Sequence, residues 1–112
     1  MLYPRQIAKT IVKICEDKKG EDPVILDVRN ISSIASYFVI VSGNSTRHVA
    51  AMADHVSDEL KKKGERVWHI EGIKEASWVV LDYGDVIAHI FHNETRKYYM
   101  LERLWGDAIH VK

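Results

Sequence analysis

The chain has 112 residues, with apolar side chains at 46% and charged ones at 29%, a balance that suits one globular domain with a single core and argues against disorder. Lysine plus arginine and aspartate plus glutamate both count 16, so the formal net charge is zero and the molecule as a whole has no electrostatic hold on a phosphate backbone. Cys15 is the only cysteine, which excludes an internal disulfide framework or a cysteine-rich zinc site and points to a reducing compartment.

Charge tilts slightly along the chain. Residues 1–70 carry 11 basic and 9 acidic side chains, and residues 71–112 carry 5 and 7, which leaves the C-terminal half free to meet something basic. No apolar run approaches the length of a membrane-spanning helix. The N-terminus has charges spread through its apolar part, unlike a secretory signal. The expectation is a soluble, cytoplasmic protein with no membrane partner.

Pro4 suits the first turn of a helix, and Ile7, Ala8, Ile11, Val12, Ile14 and Cys15 follow at helical spacing. Cys15 falls on the buried stripe, where core packing is the natural role for a thiol. "KKGEDP" (18–23) reads as a turn and "VILDV" (24–28) as a short strand. "ISSIAS" (31–36) is a connection, and "YFVIVS" (37–42) is apolar on both faces, as in a central strand covered on both sides.

The clearest helix follows "SGNS" (42–45). Asn44 or Ser45 caps it, Val49, Met52, Ala53, Val56 and Leu60 form its buried stripe, and Gly64 ends it. Lys61, Lys62 and Lys63 complement the negative end of the helix dipole, so this basic run needs no nucleic acid to explain it. "RVWHIEG" (66–72) is a further strand. A last helix is predicted from Asn93 to Gly106, with Tyr98, Leu101, Leu104 and Trp105 along one side. The order α-β-β-α-β-β-β-α gives a single α/β domain over residues 1–112, with a mixed five-stranded sheet flanked by helices.

"WVVLDYGDVIAHIFH" (78–92) reads as a hairpin turning at Gly84-Asp85, glycine first. That turn pairs Val80 with His89 and Trp78 with Phe91. Alternation places Val79, Leu81, Tyr83, Val86, Ala88 and Ile90 on a core face. The other face carries Trp78, Val80, Asp82, Ile87, His89 and Phe91, with Asp82 and His89 as diagonal neighbours within reach of each other. Two readings of this second face stay open on pattern alone. One is a second core layer under a helix, with a satisfied Asp–His contact; the other is a partner surface of aromatics among a few polar groups.

Catalytic and metal readings fare poorly. His89 and His92 lie on opposite faces of a strand, and His48 and His55 are two helical turns apart, so neither pair grips one ion. A strand, a Gly-Ser turn and a helix can hold phosphates, as nucleotidyltransferases do beside a magnesium-binding carboxylate pair. Here the following acids, Asp54 and Asp58, point away from the start of their own helix. No triad spacing, nucleophile elbow or Walker loop is present. The sequence implies no catalytic residue, no metal and no cofactor; a degenerate nucleotidyltransferase that still binds nucleotide is the alternative kept open, and a simple dimeric scaffold is a third.

Three ordered segments, "ISSIASYFVIVSGNSTRHVAAMAD", "WVVLDYGDVIAHIF" and "RKYYMLERLWGDA", resemble the ribosomal silencing factor S family, also called Iojap, over about residues 5 to 108. Ser36 departs from the aspartate usual in the family before "YFVI", so any role carried by an acid there is not available. The resemblance implies a nucleotidyltransferase-like fold without catalytic acids. It implies binding to the large ribosomal subunit through its protein L-fourteen, a steric block to subunit joining, lowered translation in starvation, and a homodimer in the free state. A basic ribosomal protein calls for aromatic anchors set among carboxylates. Trp78, Asp82, Tyr83, Asp85 and Tyr98 match family motif positions and supply them. Arg47 and His48 also match, with ribosomal RNA contacts and helix capping as equal alternatives. His89 and Trp105 stand between secondary contacts and structural braces.

Overall fold

The computed structural model describes residues 2–95 and the backbone of residues 109–111. Helix α1 (Pro4–Asp17) opens with proline in its first turn, and the Gln6 side-chain carbonyl accepts the Tyr3 N–H. Its apolar stripe, Ile7, Ala8, Ile11, Ile14 and Cys15, is buried as the spacing predicts. Strand β1 (Glu21–Asp27) begins three residues earlier than the sequence suggested. Its register against β2 shifts between Glu21 and Val24. A bulge is where a strand tolerates Pro23, which has no N–H for the ladder, so the expected turn becomes the irregular start of a strand.

Strand β2 (Tyr37–Gly43) is buried at every position. It pairs antiparallel with β1 and parallel with β5, which accounts for a strand without polar alternation. Helix α2 (Thr46–Lys62) is capped by Ser45, whose hydroxyl accepts the His48 N–H. It ends with Gly64 at φ 87°, the Gly64 N–H reaching the Lys61 carbonyl and the Glu65 N–H reaching that of Leu60. Those two bonds close the helix end in the left-handed glycine motif.

Strand β3 (His69–Glu71) has three residues, all exposed, where the sequence suggested seven. It leads through residues 72–77 to β4 (Trp78–Asp82) and β5 (Val86–His92). The β4–β5 hairpin has the predicted register, including Val80 opposite His89 and Trp78 opposite Phe91. Gly84 takes φ 86° at the turn. The five predicted strands lie in one mixed sheet, and a sixth, β6 (Ile109–Val111), adds to it beyond β1, giving the order β3-β4-β5-β2-β1-β6.

The main core lies between this sheet and α1 with α2. It includes Val39, Val41, Val79, Leu81, Tyr83, Val86, Ala88 and Ile90. A smaller cluster on the opposite sheet face joins Leu26, Val28, Ala35, Phe38, Ile40 and Phe91, with Val24, Trp78 and Ile87 packed against it. Residues 93–95 are helical, as predicted for the start of the last helix. The remainder of that prediction, including Tyr98 and Trp105, lies outside the described residues. No helix among the described residues is long and apolar enough to cross a membrane.

Candidate functional site

The second face of the hairpin is built around an imidazole. His89, on β5, is only 8% exposed. Its diagonal neighbours on β4 are Asp82 in one direction and Trp78 in the other. The structure chooses Trp78: its indole N–H donates to Nδ1 of His89 at 3.1 Å. The Asp–His contact expected from the sequence is not formed, because Oδ1 of Asp82 accepts the Gly84 N–H at 2.7 Å. A carboxylate two residues before a turn amide makes that local bond with little ordering cost, and it outcompetes the cross-strand partner.

Trp78 is half-buried. Its ring stacks on Phe91 with centroids 4.9 Å apart, while His89 meets Phe38 edge-on at 5.2 Å. Burial lowers the His89 pKa from its usual value near 6.5 to about 4, so the ring is neutral at physiological pH. Nε2 of His89 has no hydrogen-bond partner among the described residues. Thus Phe91 and His89 are buried in the smaller cluster, without the Asp–His contact of the first reading and without a described helix over them, and Trp78 sits at the cluster's margin.

Other candidate residues separate clearly. Asp85 is exposed at the turn, and its carbonyl accepts the N–H groups of Ser36 and Tyr37, tying the turn to the start of β2. Tyr83 belongs to the main core, 7% exposed; burial, with Glu65 nearby adding to it, pushes its phenol up to about 12. Its hydroxyl has no partner among the described residues. Arg47 is exposed on the first turn of α2. His48 works as a brace: Nδ1 accepts the Asn44 N–H at 3.0 Å, so Nε2 carries the proton and donates to the Lys18 carbonyl at 2.6 Å.

The sequence reading passed over Trp68. It is 77% exposed, and its ring lies against Gly84, where an added Cβ would come within 3.1 Å of it. Ile70 and Ile73 are also exposed. By register Ile70, opposite Leu81, lies on the main-core side of the sheet, and Glu71, opposite Val80, on the Trp78 side, so the β3 edge is aliphatic on one side and acidic on the other. The available signal was weak, since a large aromatic just before an edge strand has one neighbouring strand to cover it.

The nucleotide reading finds little support in "SGNS". Side chains engage the Asn44 and His48 amides, and these are donors a phosphate would use. Asp54 and Asp58 are exposed along α2 rather than facing its start. Among the described residues no group of three or more histidine, cysteine, aspartate or glutamate side chains is placed to hold a metal.

His48, His89 and Ser45 are thus spent on holding a loop, a strand-pair side chain and a helix end. What faces outward at the hairpin is aromatic, aliphatic and acidic. The fold is that of a single α/β domain with a mixed sheet flanked by helices. The family model for the ribosomal silencing factor during starvation matches residues 3–112. The Bacillus subtilis ribosomal silencing factor is 45% identical over 104 residues, covering 93% of this chain and 88% of the relative. A crystal structure from Chromobacterium violaceum superposes with a TM-score of 0.91 at 34% identity, covering 94% of this chain and 88% of that one. One from Bacillus halodurans gives 0.85 at 35%, covering 96% and 98%. The chain belongs to the ribosomal silencing factor family, a regulatory and non-enzymatic group whose plastid relatives carry the name Iojap.

Proposed function

We propose that this protein acts in the cytoplasm by occupancy: it docks on the large ribosomal subunit through protein L-fourteen, prevents the small subunit from joining, and so lowers translation in starvation. The docking surface is the β4–β5 hairpin with its β3 margin. Trp78 and Trp68 are its anchors, and Asp82 and Asp85 its complement to a basic ribosomal protein. Tyr98 completes the set on family position, Tyr83 supports the hairpin from beneath, and Arg47 is the residue that meets ribosomal RNA. The observation that carries the reading is the exposed Trp68 ring seated on the turn that holds Asp82 and Asp85. An aromatic left in water beside oriented carboxylates is the composition of a binding hot spot.

A second copy is the occupant proposed, when no ribosome is bound, for the β3 edge, which is unpaired among the described residues. In an antiparallel pairing centred on Ile70, His69 of each copy faces Glu71 of the other, and these two side chains already bond within one chain at 2.8 Å.

Cosedimentation with isolated large subunits tests the docking face. Trp68→Ser and Asp85→Lys alter exposed side chains, so the fold is expected to persist while binding weakens at least about tenfold for each. Wild-type affinity in both folded variants would place the contact elsewhere.

A further inference from the structure

We infer that His89 is the positioning residue of the docking face: its neutral imidazole fixes the Trp78 indole in the orientation that the ribosomal partner meets. This rests on the docking reading above. An indole nitrogen only donates, so the 3.1 Å bond from Trp78 Nε1 requires an unprotonated Nδ1 on His89, with the ring proton on Nε2. The strand register makes the contact possible, because His89 lies opposite Val80, two residues from Trp78 on the same face.

Phe91 and His89 both act on the Trp78 ring. Phe91 stacks against the indole at 4.9 Å with 26° between the planes, which fixes its tilt. The bond to His89 fixes its rotation about the remaining torsion. His89 is itself immobilised, since it is buried and packed edge-on against Phe38 at 69°. Nε2 of His89 finds no partner among the described residues, so the bond from Trp78 to Nδ1 is the one hydrogen bond this ring makes among them. Tryptophan anchors bind well when their rotamer is set before the encounter, because less ordering remains to oppose association.

The test uses the full chain with three variants. His89→Leu removes the acceptor, His89→Asn returns an oxygen near the place of Nδ1, and Trp78→Phe removes the donor. The indole 15N–1H resonance of Trp78, assigned by its absence in Trp78→Phe, is expected to shift in His89→Leu and to move back in His89→Asn. Affinity for isolated large subunits is expected to fall about tenfold in His89→Leu, the scale of one net hydrogen bond, and to recover in His89→Asn. In the Trp78→Phe background, His89→Leu should cause no further loss.

An unshifted indole in His89→Leu overturns the positioning role, as does a loss of binding that persists undiminished in the Trp78→Phe background. Wild-type binding by Trp78→Phe would also overturn the inference, since the partner would then not meet this indole, whereas failure of the docking reading as a whole shows separately as wild-type binding by Trp68→Ser and Asp85→Lys.

Discussion

Acid should unfold this protein through His89 before it does so through any carboxylate pair. Burial brings the folded-state pKa of His89 to about 4 against an ordinary 6.5. Between those values the unfolded chain binds a proton that the folded chain refuses, so stability falls as pH drops below about 6.5 and levels off below about 4. Integrated between about pH 7.5 and about pH 4.5, that difference removes roughly 2–3 kcal/mol, a large share of the 5–15 kcal/mol typical of a domain. The Asp27 carboxyl, held below its usual range chiefly by hydrogen bonds from Arg29, has the opposite kind of shift. Its contribution is present above the ordinary carboxylate pKa and is lost only as pH falls further, so it stays out of this window. Urea unfolding of the wild type and of His89→Asn at both pH values isolates the effect. The wild type should lose roughly 2–3 kcal/mol more than the variant over the interval. Equal losses would refute the claim that His89 is buried as a neutral ring.

Three further outcomes follow from local geometry. Gly72 has φ 81°, and an added Cβ would collide with the Trp78 carbonyl; Gly72→Ala should cost upwards of about 1 kcal/mol and shift the Trp78 indole resonance. Ser45→Ala removes the acceptor for the His48 N–H and should lower stability by about 1 kcal/mol, read as a lower urea midpoint with an unchanged slope. The Cys15 thiol is pushed up to about 12, mainly by burial and then by Glu16; it should resist thiol reagents in the native protein and react only as the chain unfolds. Labelling at the rate of a free thiol would contradict that burial.

Parts of the molecule with strong local signals were legible from sequence. The hairpin register follows from alternation and a glycine-first turn, and α2 is bracketed by Ser45 and Gly64 with a regular apolar stripe between them. The partner of His89 was not legible, because Asp82 and Trp78 are both its diagonal neighbours and only a competing bond decides between them. The exposure of Trp68 was hidden for a different reason: beside an edge strand, alternation does not say what covers a side chain. The bulge at Pro23 and the short β6 escaped because three or four residues carry too little periodicity to register. Family resemblance reached further than pattern did, yet it treated Tyr83 as a surface residue where the core holds it.

The central question is whether this domain obstructs by sitting in place. Purified small and large subunits, mixed in joining buffer and followed by light scattering, give the most direct reading. Preincubating the large subunit with a saturating amount of this protein should suppress the rise in scattering, and the Trp68→Ser and Asp85→Lys variants should restore it. Joining of normal rate and extent with the wild-type protein bound to saturation would contradict the account.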